Sequence, residues 1–579
     1  MNGDEWWSHY KYDAFGMGQG REVEQMRQNY AHLPEVTVSA FTEAGVPEHS
    51  ISVIKQRTYT GRYPVIPSSL ADTPCTSLGV ENILGKLNDI LGTSYTLEIR
   101  SLSSLLNTYI LNGYDFGTAF SRLRPFWYND LIDIEDKLHT REGWDQQMRQ
   151  DVLVNNRIIS GSLPPRRVWD LYSNRVIPWW VPREYPRAIS HAWMEEEDRA
   201  DVHTPINRNE WPVPMPKDAN LDLIRIEMLN HGAEYAWLDV LCLRQVGGRR
   251  EDLREAEWKV DVPTIGRVYG WSHGDVMCYL SGLGRPFSLK EADLESDRCW
   301  FRRAWTLQET HIYMRIGGDT GDSGFISREM RARIENQLSS LQKKRRVNAL
   351  GMPVFIALSE MQKRVSTNPV DKVAGMSYLL QTYEIPAYYV SQSQEEAWTA
   401  LVGEMYIKYR GHMFFLYPEA GDGKKCWRPS WKQAMTEALP PPHLINGWVG
   451  FVWRTKHNNA NSCDGPCIES GYVQGLGEES QDGRHREGEL LVEDITGGKH
   501  TFRIVADHQY LIPEGSYMLV GSLACASEGT FEEEQRWVVG ERLSGGMFKK
   551  VSVFMMANKG EVKRLHDLGV ATDTEIFLA

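Results

Sequence analysis

A chain of 579 residues with 41% hydrophobic and 24% charged side chains is too long for one core and ordinary in composition, which excludes fibrous and wholly disordered classes and predicts about three or four structural units. Its 64 basic against 77 acidic side chains give a formal charge of −13, which argues against a dedicated nucleic-acid binder because phosphate recognition needs a net basic face. No stretch approaches the roughly 18 to 20 apolar residues that cross a bilayer, and the opening MNGDEWWSHYKYDAFG lacks a basic start followed by an apolar run, so no membrane span and a cytoplasmic location are expected.

Residues 1–75 are polar and rich in turn formers, and an irregular arm is predicted there. A helical region is expected over 76–164. Val80, Ile83, Leu84, Leu87, Ile90 and Leu91 repeat at helical spacing between a Thr76/Ser77 cap and a Gly92 stop, and Leu102, Leu105, Leu106, Tyr109 and Ile110 repeat likewise before Gly113. Over 165–330 the character changes. YPRAISH (185–191), EYAWLDVL (234–241) and DVMCYLSG (275–282) read as strands, and Leu221, Ile224, Met228 and Leu229 as a helix closed by Gly232. A second helical stretch precedes the third strand. This alternation predicts an α/β domain with a parallel sheet and crossover helices.

Helices dominate again over 331–456, where the run Lys343, Lys344, Arg345 and Arg346 is expected to be a solvated face. Residues 457–487, polar and glycine-rich, read as a linker or long loop. Over 488–579, ELLVEDITGGKHTFRIVAD and QRWVVGERLSGGMFKKVSVFMM read as hairpins turning at Gly497-Gly498 and Gly545-Gly546, which predicts an antiparallel β module. The eight cysteines are too scattered for a disulfide framework. Cys463 and Cys467, with His457 upstream, lack a fourth ligand and a second close pair, so two free thiols in a loop and no metal are expected.

In open parallel sheets, ligands bind outside the carboxyl ends of the strands. Ser190 and His191, followed by Trp193, end the first strand, and Asp239, with Cys242, Arg244 and Gln245 beyond it, ends the second. The stretch CWFRRAWTLQET from Cys299 reads as one short helix. At 100° per residue, Arg302, Trp305 and Glu309 would then share about a 60° arc. Two readings stay open: Arg302 pairs with Glu309 beneath the Trp305 indole, with Asp239 capping a turn and His191 a satisfied core histidine, or the three segments converge on a site. Competing engines are absent. Gly79 through Gly85-Lys86 is one residue too long for a phosphate loop and lacks its Ser/Thr, and there is no His-Glu-x-x-His helix or Gly-x-Ser-x-Gly elbow. Cys242, inside an apolar strand, is expected to be inert.

At these residues the chain resembles the fungal heterokaryon-incompatibility (HET) domain. AISHAW (188–193), YAWLDVLCLRQ (235–245), DVPTIGRVY (261–269) and CWFRRAWTLQE (299–309) follow the order and spacing of that family's blocks, and Trp300, Arg303, Trp305, Thr306, Gln308 and Glu309 match its Trp-x-x-Arg-x-Trp-Thr-x-Gln-Glu pattern. NPVDKVAGMSYLL (368–380) and RPSW (428–431) look like the segments that follow the domain, so the resemblance covers about 165–435. PRRVWDLYSNRV looks like the basidiomycete branch. His191, Met194 and Arg244 depart from the usual Tyr, Gly and Asn.

The resemblance implies a TIR-like, flavodoxin-like parallel-sheet core and a role in non-self recognition and regulated cell death after fusion of unlike hyphae. It implies NAD as substrate rather than cofactor, cleaved at the nicotinamide–ribose bond with Glu309 catalytic. Ser190, His191, Trp193, Asp239, Arg244, Arg302, Arg303 and Trp305 would then line the substrate site. It equally accommodates a non-catalytic scaffold that self-associates. A homo-oligomer and an unidentified protein trigger are the partners it suggests.

Overall fold

The computed structural model describes residues 28–272, 274–321, 325–346, 352–441, 449–455, 460–478, 485–523 and 534–579. They fall into two compact units, one within Met1–Arg346 together with Ala387–Tyr389, the other within Val347–Pro386 together with Val390–Ala579.

Of the arm expected over 1–75, residues 1–27 lie outside the described residues, and the rest is more ordered than irregular. Strands Val36–Ser39 and Thr58–Gly61 pair antiparallel, and Ser39 caps the short helix Ala40–Ala44 through the Thr42 amide. The expected helices follow: α1 (Cys75–Leu91), α2 (Arg100–Leu111), α3 (Phe116–Leu123) and α4 (Ile134–Asp151). Helix α1 ends at Gly92 in the left-handed conformation, φ 65°, which glycine adopts without steric cost. Its start differs from expectation. Pro74 is the cap residue, and Thr76 and Ser77 lie in a first turn that breaks at Gly79, φ 73°. The glycine of the phosphate-loop near miss is therefore a kink inside a helix.

The centre of this unit is a mixed sheet of β1 (Arg167–Asp170), β2 (Arg175–Pro178), β3 (Arg187–His191), β4 (Tyr235–Trp237), β5 (Val276–Tyr279) and β6 (Met314–Ile316). Their spatial order is β6-β5-β3-β4-β1-β2. Strands β3 to β6 run parallel, and the β1–β2 hairpin joins β4 antiparallel. All four residues of β5 are buried, as are Ala188, Ile189 and Ser190 of β3, the continuous burial of a sheet covered on both faces. Helices α5 (Leu221–Asn230), α6 (Arg254–Asp261) and α7 (Ile265–Gly270) lie in the crossovers.

Strand β4 stops sooner than the sequence suggests. Asp239–Cys242 is a helical turn, and the Asp239 carboxylate accepts the Val240 amide at 2.8 Å. That local bond offers the backbone an alternative to the ladder. The chain therefore turns away at the sheet's carboxyl edge and leaves Asp239 there.

In the second unit, helices Val354–Gln362, Gln394–Glu404 and Ile407–Phe415 precede strands β7 (Val452–Arg454), β8 (Asn461–Gln474), β9 (Arg486–Glu493), β10 (Lys499–Ala506), β11 (Gly515–Gly521), β12 (Gln535–Arg542), β13 (Phe548–Met556) and β14 (Thr572–Leu578). Both expected hairpins form, β9–β10 and β12–β13. The pairings run β8–β9–β10–β13–β12–β11 and return to β8, so these strands close on themselves. Closure removes most free edges. Phe502, Ile504, Trp537 and Phe554 fill the interior with Val562 and Leu565 of the helix Lys559–Asp567.

The linker reading of 457–487 is overturned, because its centre is β8, a strand of 14 residues and the longest of this sheet. Its glycines are packing residues. A Cβ at Gly471 would meet Leu490 and Leu519 at 2.9 Å, beside a register shift between Ile468 and Gly471. Cys463 and Cys467 are likewise in this strand and buried, not in a loop. His457 lies outside the described residues.

Candidate active site

Adjacent residues of a strand point to opposite faces. At the end of β3, Ser190 and His191 therefore serve the two sides of the sheet's carboxyl edge. Ser190 hydrogen-bonds in both senses: its hydroxyl donates to Glu309 Oε2 at 2.5 Å and accepts from Trp300 Nε1 at 2.7 Å. With its hydrogen committed to the carboxylate and a lone pair to the buried indole, Ser190 has one fixed orientation.

Glu309 reaches this hydroxyl because 299–309 is not one helix. A 3₁₀ turn, Trp300–Arg302, is followed by extended Arg303 (φ −83°, ψ 138°) and then by the short helix α8, Thr306–Glu309. The Thr306 hydroxyl, 2.6 Å from the Trp300 carbonyl and 2.7 Å from that of Arg303, holds the break. Beyond α8, Arg345 of helix α9 (Arg328–Arg346) donates to the Thr310 carbonyl at 3.2 Å. Burial holds that guanidinium below its ordinary range, at about 10, so the basic run is not wholly a solvated face.

The break also redistributes the side chains assigned to one arc. Arg302 turns to Asp297 at 2.9 Å and to the Glu295 carbonyl at 3.1 Å. The reading in which Arg302 pairs with Glu309 under an indole lid is therefore overturned. The Trp305 ring meets Tyr388 at 6.4 Å. Arg303 is the arginine whose charge acts on Glu309.

Burial pushes the Glu309 carboxyl up and the Ser190 hydrogen bond pulls it down; the Asp239 charge then raises it, and His191 and Arg303 lower it. The balance leaves it at about 7. Two groups register its charge in turn. Cys278, paired in register with Ser190, and Tyr269, which donates to the Ile189 carbonyl at 3.0 Å, are held well above their ordinary values by burial first and then by Glu309.

On the other side of the edge, His191 Nε2 lies 2.9 Å from Asp239 Oδ1 and Nδ1 lies 3.4 Å from the Ala192 carbonyl. The ring stacks on Trp193, centroids 5.6 Å apart and planes at 26°, and the Arg199 guanidinium lies 5.2 Å from the centre of that indole. Asp239 thus both accepts the Val240 amide within its turn and orients His191.

Arg244 takes no part. It is buried against Glu257, Glu210 and the Arg249 carbonyl, over Trp211. Cys242 is buried and its thiol is pushed up to about 12 by burial, which leaves it inert.

Comparison with family models, curated proteins and solved structures finds no match for this chain.

The edge therefore gathers Ser190, His191, Trp193, Asp239, Arg303 and Glu309 from segments far apart in sequence. Two residues to which the sequence reading gave no role complete it, Trp300 and Tyr269. Trp300 stood inside the quoted motif, and an indole there is a signal once a serine lies at the neighbouring strand end. Tyr269 ends the DVPTIGRVY block, where nothing tied it to the strand edge. Among the described residues, no group of three or more His, Cys, Asp or Glu side chains could hold a metal ion.

The chemistry open to this arrangement is that of one carboxylate near neutrality, steadied by a hydroxyl and flanked by cations and flat rings. Such a group stabilises a positive charge developing on a bound ligand.

Proposed function

We propose that this chain is a heterokaryon-incompatibility-type protein whose α/β unit is TIR-like and hydrolyses the nicotinamide–ribose bond of NAD, with Glu309 as the catalytic residue. The observation that carries this reading is the Glu309–Ser190 hydrogen bond at the carboxyl edge between β3 and β5. Along the parallel part of the sheet, the order β4-β3-β5-β6 agrees with a flavodoxin-like arrangement. Strand order reverses between β3 and β5, where such sheets bind nucleotides.

The reaction needs only one carboxylate. The glycosidic C–N bond breaks with its electron pair going to the nicotinamide nitrogen, which loses its positive charge as it leaves. The ribosyl C1 becomes oxocarbenium-like, and the ionised Glu309 stabilises that charge. Water then adds to C1 and releases a proton, giving ADP-ribose. Arg303 suits the diphosphate, and the indole of Trp193 a flat ring. Depletion of NAD would link the site to cell death.

The test is nicotinamide release from NAD by the full chain and by Glu309→Gln over a range of protein concentrations. Turnover by the native chain alone, with both proteins folded, is the expected result. No turnover by either at any concentration would overturn the reading.

A further inference from the structure

We propose that His191 is held as an imidazolium by Asp239 and acts as the positioning residue that supplies the counter-charge to Glu309. The inference rests on the glycohydrolase reading for its purpose but not for its geometry.

A neutral imidazole has one N–H and one lone pair. At His191 both ring nitrogens face oxygen acceptors, Nε2 the Asp239 carboxylate at 2.9 Å and Nδ1 the Ala192 carbonyl at 3.4 Å. A neutral ring would set a lone pair against one of those oxygens, whereas the doubly protonated ring donates to both. The ring face lies on the Trp193 indole, a surface that favours a cation over a neutral ring. His191 is also nearly enclosed, 7% exposed, so solvent cannot stand in for these partners.

The charged group in contact with the ring is Asp239; the charge of Glu309, bonded to the neighbouring Ser190, also acts on it, and Arg199 lies on the Trp193 indole. Burial opposes the ring's charge, but Asp239, its hydrogen bond and then Glu309 outweigh it and raise the ring above its ordinary value. Glu309 in turn feels Ser190, Asp239, His191 and Arg303, and it bears on Tyr269 and Cys278. Asp239 holds the ring by a hydrogen bond, and Glu309 favours its charge through space. Without it, Asp239 would act on Glu309 as a bare like charge and favour the protonated, inactive carboxyl. The strand end that delivers the Ser190 hydroxyl to Glu309 thus also delivers its counter-charge.

The experiment is ¹⁵N NMR of the histidine-labelled full chain at pH 7, with the His191 signals identified by their loss in His191→Gln. It is combined with ¹³C titration of Glu309, identified by its loss in Glu309→Gln. Both His191 ring nitrogens are expected to be protonated, and the Glu309 midpoint to move up by roughly one pH unit in His191→Gln. A neutral ring, or an unchanged Glu309 midpoint, overturns the proposal. Should His191→Gln fail to fold, Asp239→Asn serves, where loss of a ring proton at pH 7 is the expected result and an unaltered imidazolium the contrary one. Neither readout requires turnover, so a native chain that consumes no NAD would remove the proposed activity while the charge relation was still decided.

Discussion

Trp300 and Glu309 are joined through one hydroxyl: Ser190 accepts from the indole at 2.7 Å and donates to the carboxylate at 2.5 Å. Replacing Ser190 by alanine removes both partners at once. A buried indole N–H left without an acceptor costs about 1–3 kcal/mol, which urea denaturation of the full chain would read as a lower midpoint. The same change removes a bond that favours the ionised carboxyl, so the rising limb of NAD hydrolysis should move to higher pH. A change in stability with no movement of the limb would mean that Ser190 serves only the indole.

Glu309 itself gives a signed dependence on pH. Burial raises its carboxyl from 4.5 in the unfolded chain to about 7 in the folded one. The folded state therefore binds the proton more tightly, and the stability this group confers is complete below about pH 4.5 and lost as pH rises through about 7. The loss is on the order of 3 kcal/mol. Glutamine keeps an oxygen to accept from Ser190 and has no proton to lose. Glu309→Gln should therefore be more stable than the native chain at pH 8 and closer to it at pH 5, by denaturant unfolding at the two values. Catalysis has the opposite slope, since only the ionised form works, and native activity should rise through about pH 7.

The two neighbouring arginines separate cleanly. Arg302 is bound to Asp297 at a partly exposed site, side chains 35% and 69% exposed, and such pairs contribute about 0–1 kcal/mol. Arg302→Gln should leave stability and turnover close to native values. Arg303→Gln removes a positive charge that lowers the Glu309 carboxyl, so about a tenfold fall in kcat/KM at pH 7 is expected, partly recovered at pH 9. Equal effects from both substitutions would argue against the broken-helix geometry.

That broken helix marks the limit of what the sequence could say. The alternation of strand and helix was legible because β3 and β5 are short apolar runs and α5 carries its apolar residues at helical spacing. Position at the carboxyl edge was enough to single out Ser190, His191 and Asp239. Periodicity could not show that Arg303 is extended, because the break depends on the Thr306 hydroxyl meeting two carbonyls of its own segment, a local polar contact that apolar spacing does not report. Arg244 misled for a related reason. A guanidinium two residues past Cys242 looks like a ligand for an anion, but Glu257 and Glu210 reach it from elsewhere in the chain. In β8, polar residues and glycines concealed a strand whose buried face is filled largely by its neighbours.

The last prediction follows from that strand. At Gly471 a side chain would run into Leu490 and Leu519 at 2.9 Å, whereas nothing lies within 4 Å of a Cβ at Gly545 in the β12–β13 turn. If Asn461–Gln474 is the closing strand between β9 and β11, valine at 471 must push two core leucines aside, and overpacking of this kind costs about 1–3 kcal/mol. Gly545→Ala should change stability by no more than about 0.5 kcal/mol. Thermal unfolding of the two variants beside the native chain compares them directly. A polar linker would accept valine as readily as the turn accepts alanine, so equal melting temperatures for the two would restore the linker reading. A selective loss at Gly471 would fix β8 in the closed ring.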